Sequence, residues 1–193
     1  MEYDKNKKEI KLGRISNNLD SFVLKFCRLL DFYVIVSGYV AILFGRSRAT
    51  EDIDLLVPSM SFNEFSELWN KILNEGFECL NTSKVSEAYD YLRGSAIRFS
   101  LIGKPIPNVE FKIIKNDLDR YSFNNKIKVL LDEGSVFISP FEMHIAYKLF
   151  LGSEKDLEDA KHIYELFKED LNIKELNSLL ETLKVKNKFE EIK

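Results

Sequence analysis

The sequence predicts a mixed α/β (α+β) fold that ends in a helical region. Up to about residue 139, short runs of β-branched and aromatic residues alternate with amphipathic helical patterns, and only helical patterns follow. The 193 residues are enough for one complete core and too few for two large domains. We therefore expect an α/β core over residues 1–139 and a C-terminal helical region over residues 140–193 that packs on this core.

Amphipathic spacing and turn signals predict the first elements. An apolar stripe over residues 16–31 predicts a helix, and the β-branched run Val34–Val36 predicts a short strand. Ser37 and Gly38 then turn the chain into a second helix over residues 39–44, and Gly45 suits a left-handed exit from it.

Capping signals and β-rich runs predict the rest of the chain. Ser61 and Glu64 form a capping box for a helix that stops at Gly76, and Ser139 with Pro140 starts the C-terminal helices. Strands are expected at residues 53–57, 96–102 and 109–114 and within 126–139, and later helices at 155–168 and 173–184. The charged residues from 184 onward are expected to fray.

Composition narrows the class of protein. Hydrophobic residues make up 45% and charged residues 31% of the chain, as is ordinary for a folded domain. The net charge of −3 gives no broad basic surface, so tight nonspecific binding to nucleic acid is not expected. No apolar segment suits a signal peptide or a membrane span, so we expect a cytoplasmic protein. Cys27, in an apolar helical stretch, and Cys79, in an expected strand, are predicted to be free thiols.

Two carboxylates interrupt the strand predicted near residue 53. Because side chains alternate along a strand, Asp52 and Asp54 point to one side, and Ile53, Leu55 and Val57 point to the other. A buried carboxylate needs a positive partner, which leaves an arginine, a backbone turn or a metal ion as candidates. Carboxylate oxygens select hard cations such as Mg²⁺ or Mn²⁺, so the pair predicts a metal site.

The small-residue turn before the acidic strand favours an anion. A strand that runs into Ser37 and Gly38 and then into a helix presents free N–H groups, which favour a phosphate. Arg48 lies on the following loop, where phosphate binding and bracing of a carboxylate are both open roles. Thr50 is expected to hold this loop. Taken alone, an acidic pair is usually a solvated strand end, but its closeness to this turn favours a functional site.

The segment over residues 36–54 carries a family resemblance. It reads V-S-G-Y-V-A-I-L-F-G-R-S-R-A-T-E-D-I-D. This string resembles the signature of nucleotidyltransferases with the DNA polymerase beta-like fold, especially the small prokaryotic branch with toxin-type and antibiotic-modifying members. The resemblance implies that Ser37 and Gly38 contact nucleotide phosphates and that Asp52 and Asp54 bind two divalent ions. It also implies a mixed-sheet core flanked by helices.

The resemblance also implies a third carboxylate on a later strand. Glu110 is the best match, and Asp117 or Asp119 are weaker alternatives because their setting is loop-like. Glu110 is one methylene longer than the aspartate that is commoner in the family. Ser37 stands where the family often has glycine, and we expect the turn to accept serine if its φ stays negative.

The C-terminal helices carry the last part of the resemblance. Lys148 and the segment S-E-K-D-L-E-D-A over residues 153–160 are similar to a lysine followed by K-D-x-x-D-A in that branch. This similarity implies that Lys148 or Lys155 stabilises phosphate charge. The structural alternatives are a snorkelling role for Lys148 and helix N-terminal charge compensation by Asp156 and Asp159.

These features predict a metal-dependent nucleotidyltransferase. It would move a nucleoside monophosphate from an NTP, ATP among them, to a hydroxyl of a protein, an RNA or a small molecule, with Mg²⁺ or Mn²⁺ as cofactor. Glu110 would ligate the ion nearest the nucleophile and accept its proton. The alternative is a module that binds a nucleotide or a partner and has lost turnover, such as a toxin–antitoxin component with a cognate antitoxin-like protein.

Overall fold

A nine-stranded mixed sheet forms the centre of the protein, and helices lie against it. The computed structural model describes residues 1–193. The strands are β1 (Glu2–Asp4), β2 (Glu9–Lys11), β3 (Val34–Val36), β4 (Asp52–Val57), β5 (Phe77–Cys79), β6 (Ile97–Leu101), β7 (Lys104–Ile113), β8 (Ile127–Leu131) and β9 (Gly134–Ile138). The helices are α1 (Asn18–Cys27), α2 (Gly38–Leu43), α3 (Phe62–Asn74), α4 (Val85–Gly94), α5 (Asp117–Asn124), α6 (Phe141–Leu151), α7 (Glu154–Phe167), α8 (Ile173–Thr182) and α9 (Lys186–Ile192). The predicted mixed α/β class is confirmed.

Strand order places β3, β4 and β7 in the middle of the sheet. The order is β1-β2-β8-β9-β3-β4-β7-β6-β5. β3 is antiparallel to β4, and β4 is parallel to β7. The β8–β9 hairpin joins β3 through a parallel pairing of β9. Strands that are distant in sequence therefore meet beside the acidic segment of β4.

One hydrophobic core extends from the sheet into the C-terminal helices. Phe141 of α6 stacks on Phe167 of α7 with ring centroids 3.7 Å apart, and Phe44, just after α2, lies 4.9 Å from Phe167. Burial of one such side chain contributes about 1.5–3 kcal/mol. This cluster fixes α2 against α6 and α7. The division into residues 1–139 and 140–193 stays a prediction, since both parts share this core.

Several predicted boundaries hold and one capping prediction is wrong. The Ser61–Glu64 capping box starts α3, and Gly45 and Gly76 follow α2 and α3 with positive φ angles. Ser139 does not cap α6. Its N–H donates to the carbonyl of Ile35, which extends the β3–β9 pairing, and Pro140 takes the N-cap position instead.

The terminal segments and the middle hold elements that the sequence analysis missed. These are β1, β2, α4 and α5. The expected fraying of the C-terminus is also wrong, because residues 186–192 form α9 and bury Phe189 and Ile192. Cys27 and Cys79 are free thiols, as predicted. None of the helices combines the length and the apolar character that crossing a membrane requires.

Candidate functional site

Strand register brings the small-residue turn and the carboxylates together. Val36, the last residue of β3, pairs with Asp54 of β4, and the chain then passes through Ser37 and Gly38 into α2. On the other side of β4, Asp54 pairs with Glu110 of β7. Residues that pair across neighbouring strands point their side chains to the same face of the sheet. The turn, the acidic pair and Glu110 therefore lie around one point of the sheet.

The turn has a conformation that serine rarely adopts. Ser37 has φ 66° and ψ −143°, which contradicts the expectation of a negative φ. This region of backbone space is essentially reserved for glycine, and occupying it with another residue costs of order 1–3 kcal/mol. The Ser37 side chain makes no capping hydrogen bond. The strain is thus borne by the fold around the turn.

Lys112 bridges two of the predicted metal ligands. Its Nζ lies 2.8 Å from Oε2 of Glu110 and also forms an ion pair with Oδ1 of Asp54. Arg98, which pairs with Glu110 in the β6–β7 register, donates from Nε to Oε1 of Glu110 over 3.0 Å. Both oxygens of Glu110 are therefore bound to cations.

The pKa values of Asp54, Glu110 and Lys112 are shifted by burial and by one another. Burial raises the pKa of Asp54, against the opposing effect of Lys112. Burial also acts to raise the pKa of Glu110, but Lys112 and Arg98 outweigh it and lower that pKa to about 2. Asp54 and Glu110 in turn raise the pKa of Lys112 against the effect of its own burial. Glu110 and Lys112 are both charged at neutral pH as a result.

Asp52 is the carboxylate of the group without a bound cation. It forms no ion pair, and Thr50 holds its main chain by donating from Oγ1 to the Asp52 carbonyl over 2.9 Å. Asp54 binds Lys112 through Oδ1, and its Oδ2 makes no hydrogen bond. Oxygen donors of this kind suit one hard cation. No three acidic, histidine or cysteine side chains gather as a metal site, and both oxygens of Glu110 are bound to Arg98 and Lys112.

The other two candidates for a third acid are occupied elsewhere. α5 begins with a capping box in which Asp119 accepts from the N–H of Asn116, and Asp119 also accepts from the N–H of Lys115. Asp117 is exposed and pairs with Arg120 on the same helix. Glu110 remains the best-placed third carboxylate.

Asp159 of α7 collects three of the cations near the turn. It is fully buried, and its Oδ1 accepts from Nε of Arg46 at 2.6 Å and from Nε of Arg48 at 3.0 Å. Its Oδ2 accepts from Nη2 of Arg48 at 2.9 Å and from Nζ of Lys148 at 2.9 Å. Lys148 is also bound to Asp156 at 2.7 Å. Buried charges are tolerated when they are paired in this way.

This network assigns structural contacts to the segment that resembles K-D-x-x-D-A. Arg48 braces a carboxylate, which was one of its two open roles, and Lys148 is buried instead of snorkelling into solvent. Asp156 and Asp159 bind cations from other elements, which is more than helix charge compensation. Lys155 is exposed and forms no ion pair. Nucleotide binding by Arg48, Lys148 and Lys155 stays a prediction.

A cavity of about 320 Å³ opens beside the acidic pair. Its walls include Ser37, Asp54, Lys112, Tyr147 and His144. His144 is buried, neither ring nitrogen has a hydrogen-bond partner, and burial lowers its pKa to about 3. The cavity gives a small molecule access to Asp54 from the side of α5 and α6.

Three residues of this site were missed from the sequence. Lys112 could have been found, because it stands two residues after Glu110 and so faces the same side of β7. Arg98 depends on the β6–β7 register, for which the sequence holds no local signal. His144 gives no local signal in the sequence, because its missing hydrogen-bond partners become visible only in the packed structure.

No family model matches the sequence, and no curated protein matches it. Solved structures do match its fold. The antibiotic-resistance factor ANT(2'')-Ia in solution has a TM-score of 0.55 at 11% identity, over 89% of this chain and 94% of that one. Its crystal structure with adenylyl-2''-tobramycin has a TM-score of 0.56 at 12% identity, over 85% and 95%. An antigenic nucleotidyltransferase-like protein from Paracoccidioides brasiliensis has a TM-score of 0.51 at 16% identity, over 83% of each chain.

These matches show the fold of the chain. It is nucleotidyltransferase-like: a mixed sheet flanked by helices, followed by a helical C-terminal part. The predicted resemblance is confirmed at this level. The identities of 11–16% carry the fold and not the activity.

Proposed function

We propose that the protein is a metal-dependent nucleotidyltransferase. One observation carries the proposal: the pairing of Val36 with Asp54 sets the Ser37-Gly38 turn beside an acidic pair within a nucleotidyltransferase-like fold. Backbone N–H groups of such a turn suit phosphate oxygens, and the carboxylates suit the divalent ion that accompanies a triphosphate. An NTP is the ligand that satisfies both halves of this arrangement.

Each side chain of the site has a role in this reaction. Asp52 and Asp54 would hold Mg²⁺ or Mn²⁺, which neutralises phosphate charge and lowers the pKa of an attacking hydroxyl when bound. Ser37 and Gly38 would cradle phosphate oxygens through their main chain. Arg48 lies over Gly38 and would add positive charge beside those oxygens, while Asp159 keeps it in place.

The reaction exchanges one phosphate ester for another. The acceptor oxygen bonds to the α-phosphorus, the bond to pyrophosphate breaks, and the hydroxyl proton passes to a base. Glu110 is the candidate base, but a carboxylate with a pKa of about 2 accepts a proton poorly. It would accept the proton once Lys112 or Arg98 releases one of its oxygens, because the loss of either cation raises the pKa of Glu110. The acceptor class stays open among protein, RNA and small molecule.

Transfer of label tests the proposal. The full chain is incubated with α-labelled NTPs, Mg²⁺ or Mn²⁺ and cell extract, and label should move to an acceptor. Asp52→Ala should abolish transfer with the fold intact. Glu190→Ala is the matched control, since Glu190 is an exposed acid of α9 that does not line the cavity beside the acidic pair, and it should transfer label at the wild-type rate. Equal transfer by wild type and Asp52→Ala would refute the proposal.

A second candidate is a nucleotide- or partner-binding module without turnover. The observation that favours it is the state of Glu110, whose two oxygens are both held by cations. Such a module would bind a nonhydrolysable NTP with Mg²⁺ in calorimetry and transfer nothing to any acceptor. A cognate antitoxin-like protein would be its natural partner. Absence of metal-dependent NTP binding would remove both candidates.

A further inference from the structure

Lys112 is placed where a cation between two carboxylates is expected. It follows Glu110 by two residues on β7, so both side chains lie on the face that carries Asp54. Same-face neighbours on a strand are about 7 Å apart, a distance that a lysine stem can span. The Lys112 ammonium reaches back along the strand and contacts one oxygen of each acid.

Lys112 lies where a divalent ion shared by Asp54 and Glu110 would have to bind. It holds Oδ1 of Asp54 and Oε2 of Glu110, and Arg98 holds the other oxygen of Glu110. The ion pairs are shielded, since the side chains of Asp54 and Glu110 are only 18% and 13% exposed. Shielded pairs are weakened less by solvent and salt than surface pairs.

Charge balance favours one divalent ion over two. The site has three carboxylates, on Asp52, Asp54 and Glu110, and two cations, on Lys112 and Arg98. Its net charge is therefore −1. In the nucleotide-free protein, one divalent ion at Asp52 and Asp54 brings the group to +1, and a second would enter a site of its own sign. Without Lys112, the first ion would leave the group neutral, and entry of a second would meet less repulsion.

We propose that Lys112 is a resident cation of the site, which takes the place of a second divalent ion between Asp54 and Glu110. The protein then binds one divalent ion through Asp52 and Asp54, and a second binds only when Lys112 leaves. The inference rests on the proposed function, because it assumes that Asp52 and Asp54 receive a metal. It deepens that function, because one of the two cations of the site is then a lysine of the protein and only the other is a metal ion.

Manganese binding measures this directly. The full chain is titrated with Mn²⁺, alone and with a nonhydrolysable ATP analogue, and the free ion is followed by its electron paramagnetic resonance signal. Wild type should bind one equivalent. Lys112→Met should bind two, the second at least ten-fold more tightly than wild type binds any second ion. Lys112→Arg, which keeps the charge, should bind as wild type does.

Two controls separate charge from folding. Lys104→Met changes an exposed lysine at the start of the same strand, which forms no ion pair, and should leave the stoichiometry unchanged. Circular dichroism checks the fold of each variant. If Lys112→Met is unfolded, Lys112→Gln takes its place, with the same expected gain of a second equivalent.

The outcomes distinguish this inference from the function on which it rests. If wild type and the neutral Lys112 variants bind the same number of ions with dissociation constants within two-fold, Lys112 is not a resident cation. The proposed function survives that result when Asp52→Asn abolishes the binding. If wild type binds no Mn²⁺ with or without the nucleotide analogue, both the function and the inference fail.

Discussion

The guanidinium of Arg48 lies directly over Gly38. A β-carbon at residue 38 would overlap Nη2 of Arg48 and lie 3.1 Å from its Cζ. A surface arginine would swing aside at little cost, but two hydrogen bonds to buried Asp159 hold this one. Glycine at residue 38 therefore leaves room for the guanidinium, and buried Asp159 on α7 holds it there. Together they keep a positive charge against the turn.

Gly38→Ala should therefore destabilise the protein. We expect a loss of about 1–3 kcal/mol in the free energy of unfolding, as for overpacking at a tight site, together with weaker NTP binding. Urea denaturation and calorimetry measure the two effects. Gly94→Ala is the control, because nothing lies within 4 Å of a β-carbon at that position. Equal effects of the two substitutions would show that Arg48 moves freely.

Ser37→Gly should stabilise the protein. Glycine adopts φ 66° and ψ −143° without the steric cost that serine bears there. Glycine also makes the unfolded protein more flexible, which opposes part of this gain. The two effects leave an expected net gain of roughly 0.5–2 kcal/mol by urea denaturation. Ser37→Ala keeps the β-carbon and should show no such gain. If Ser37→Gly unfolds more readily than Ser37→Ala, the turn is not strained.

Asp159→Asn should be among the most damaging single changes in the chain. It leaves Arg46, Arg48 and Lys148 beside a neutral group in a buried setting, and breaking such pairs costs about 3–5 kcal/mol. Glu158→Gln removes a neighbouring acid whose side chain is 57% exposed and should cost less than about 1 kcal/mol. Thermal and urea unfolding of both variants make the comparison. Similar losses would mean that the network contributes no more than a surface pair.

His144 should make the protein less stable in acid. Its pKa is about 3 in the folded state, whereas an unfolded histidine titrates near 6.5, so the unfolded chain binds the extra proton between these values. Burial of neutral His144 therefore costs no stability above about pH 6.5. As the pH falls from 6.5 towards 3, the free energy of unfolding decreases by up to about 1.4 kcal/mol per pH unit. His144→Leu should remove that slope between pH 6 and pH 4, measured by urea unfolding against wild type. Parallel curves would contradict the prediction.

Local signals predicted the elements that carry the turn and the acidic pair. The β-branched run of β3, the Ser37-Gly38 turn and the alternation through Asp52 and Asp54 all lie within about 20 residues, so neighbouring residues determine them. α5 was missed although Asn116 and Asp119 form the same kind of capping box that identified α3. The signal was present there, but the β-rich surroundings drew the interpretation towards a loop.

Contacts between distant segments could not be predicted in the same way. The ion pair between Lys112 and Asp54 needs the parallel register of β4 and β7, and the one between Arg98 and Glu110 needs the register of β6 and β7. Helix charge compensation was the structural alternative for Asp159. Its actual partners, Arg46 and Arg48, lie more than 110 positions away in the chain and leave no local signal. The positive φ of Ser37 likewise depends on the packing around it, which no short window of sequence describes.

The last third of the chain supplies the counter-charge for the first. Arg46 and Arg48 belong to the loop that leads into the acidic strand, yet the carboxylate that neutralises them is on α7. A fragment ending at residue 139 would keep every residue of the turn and of β4. It would leave Arg46 and Arg48 without Asp159 and would expose the part of the core that the C-terminal helices cover. The helical region thus completes the charge balance around the turn, and the two regions should be expressed and engineered together.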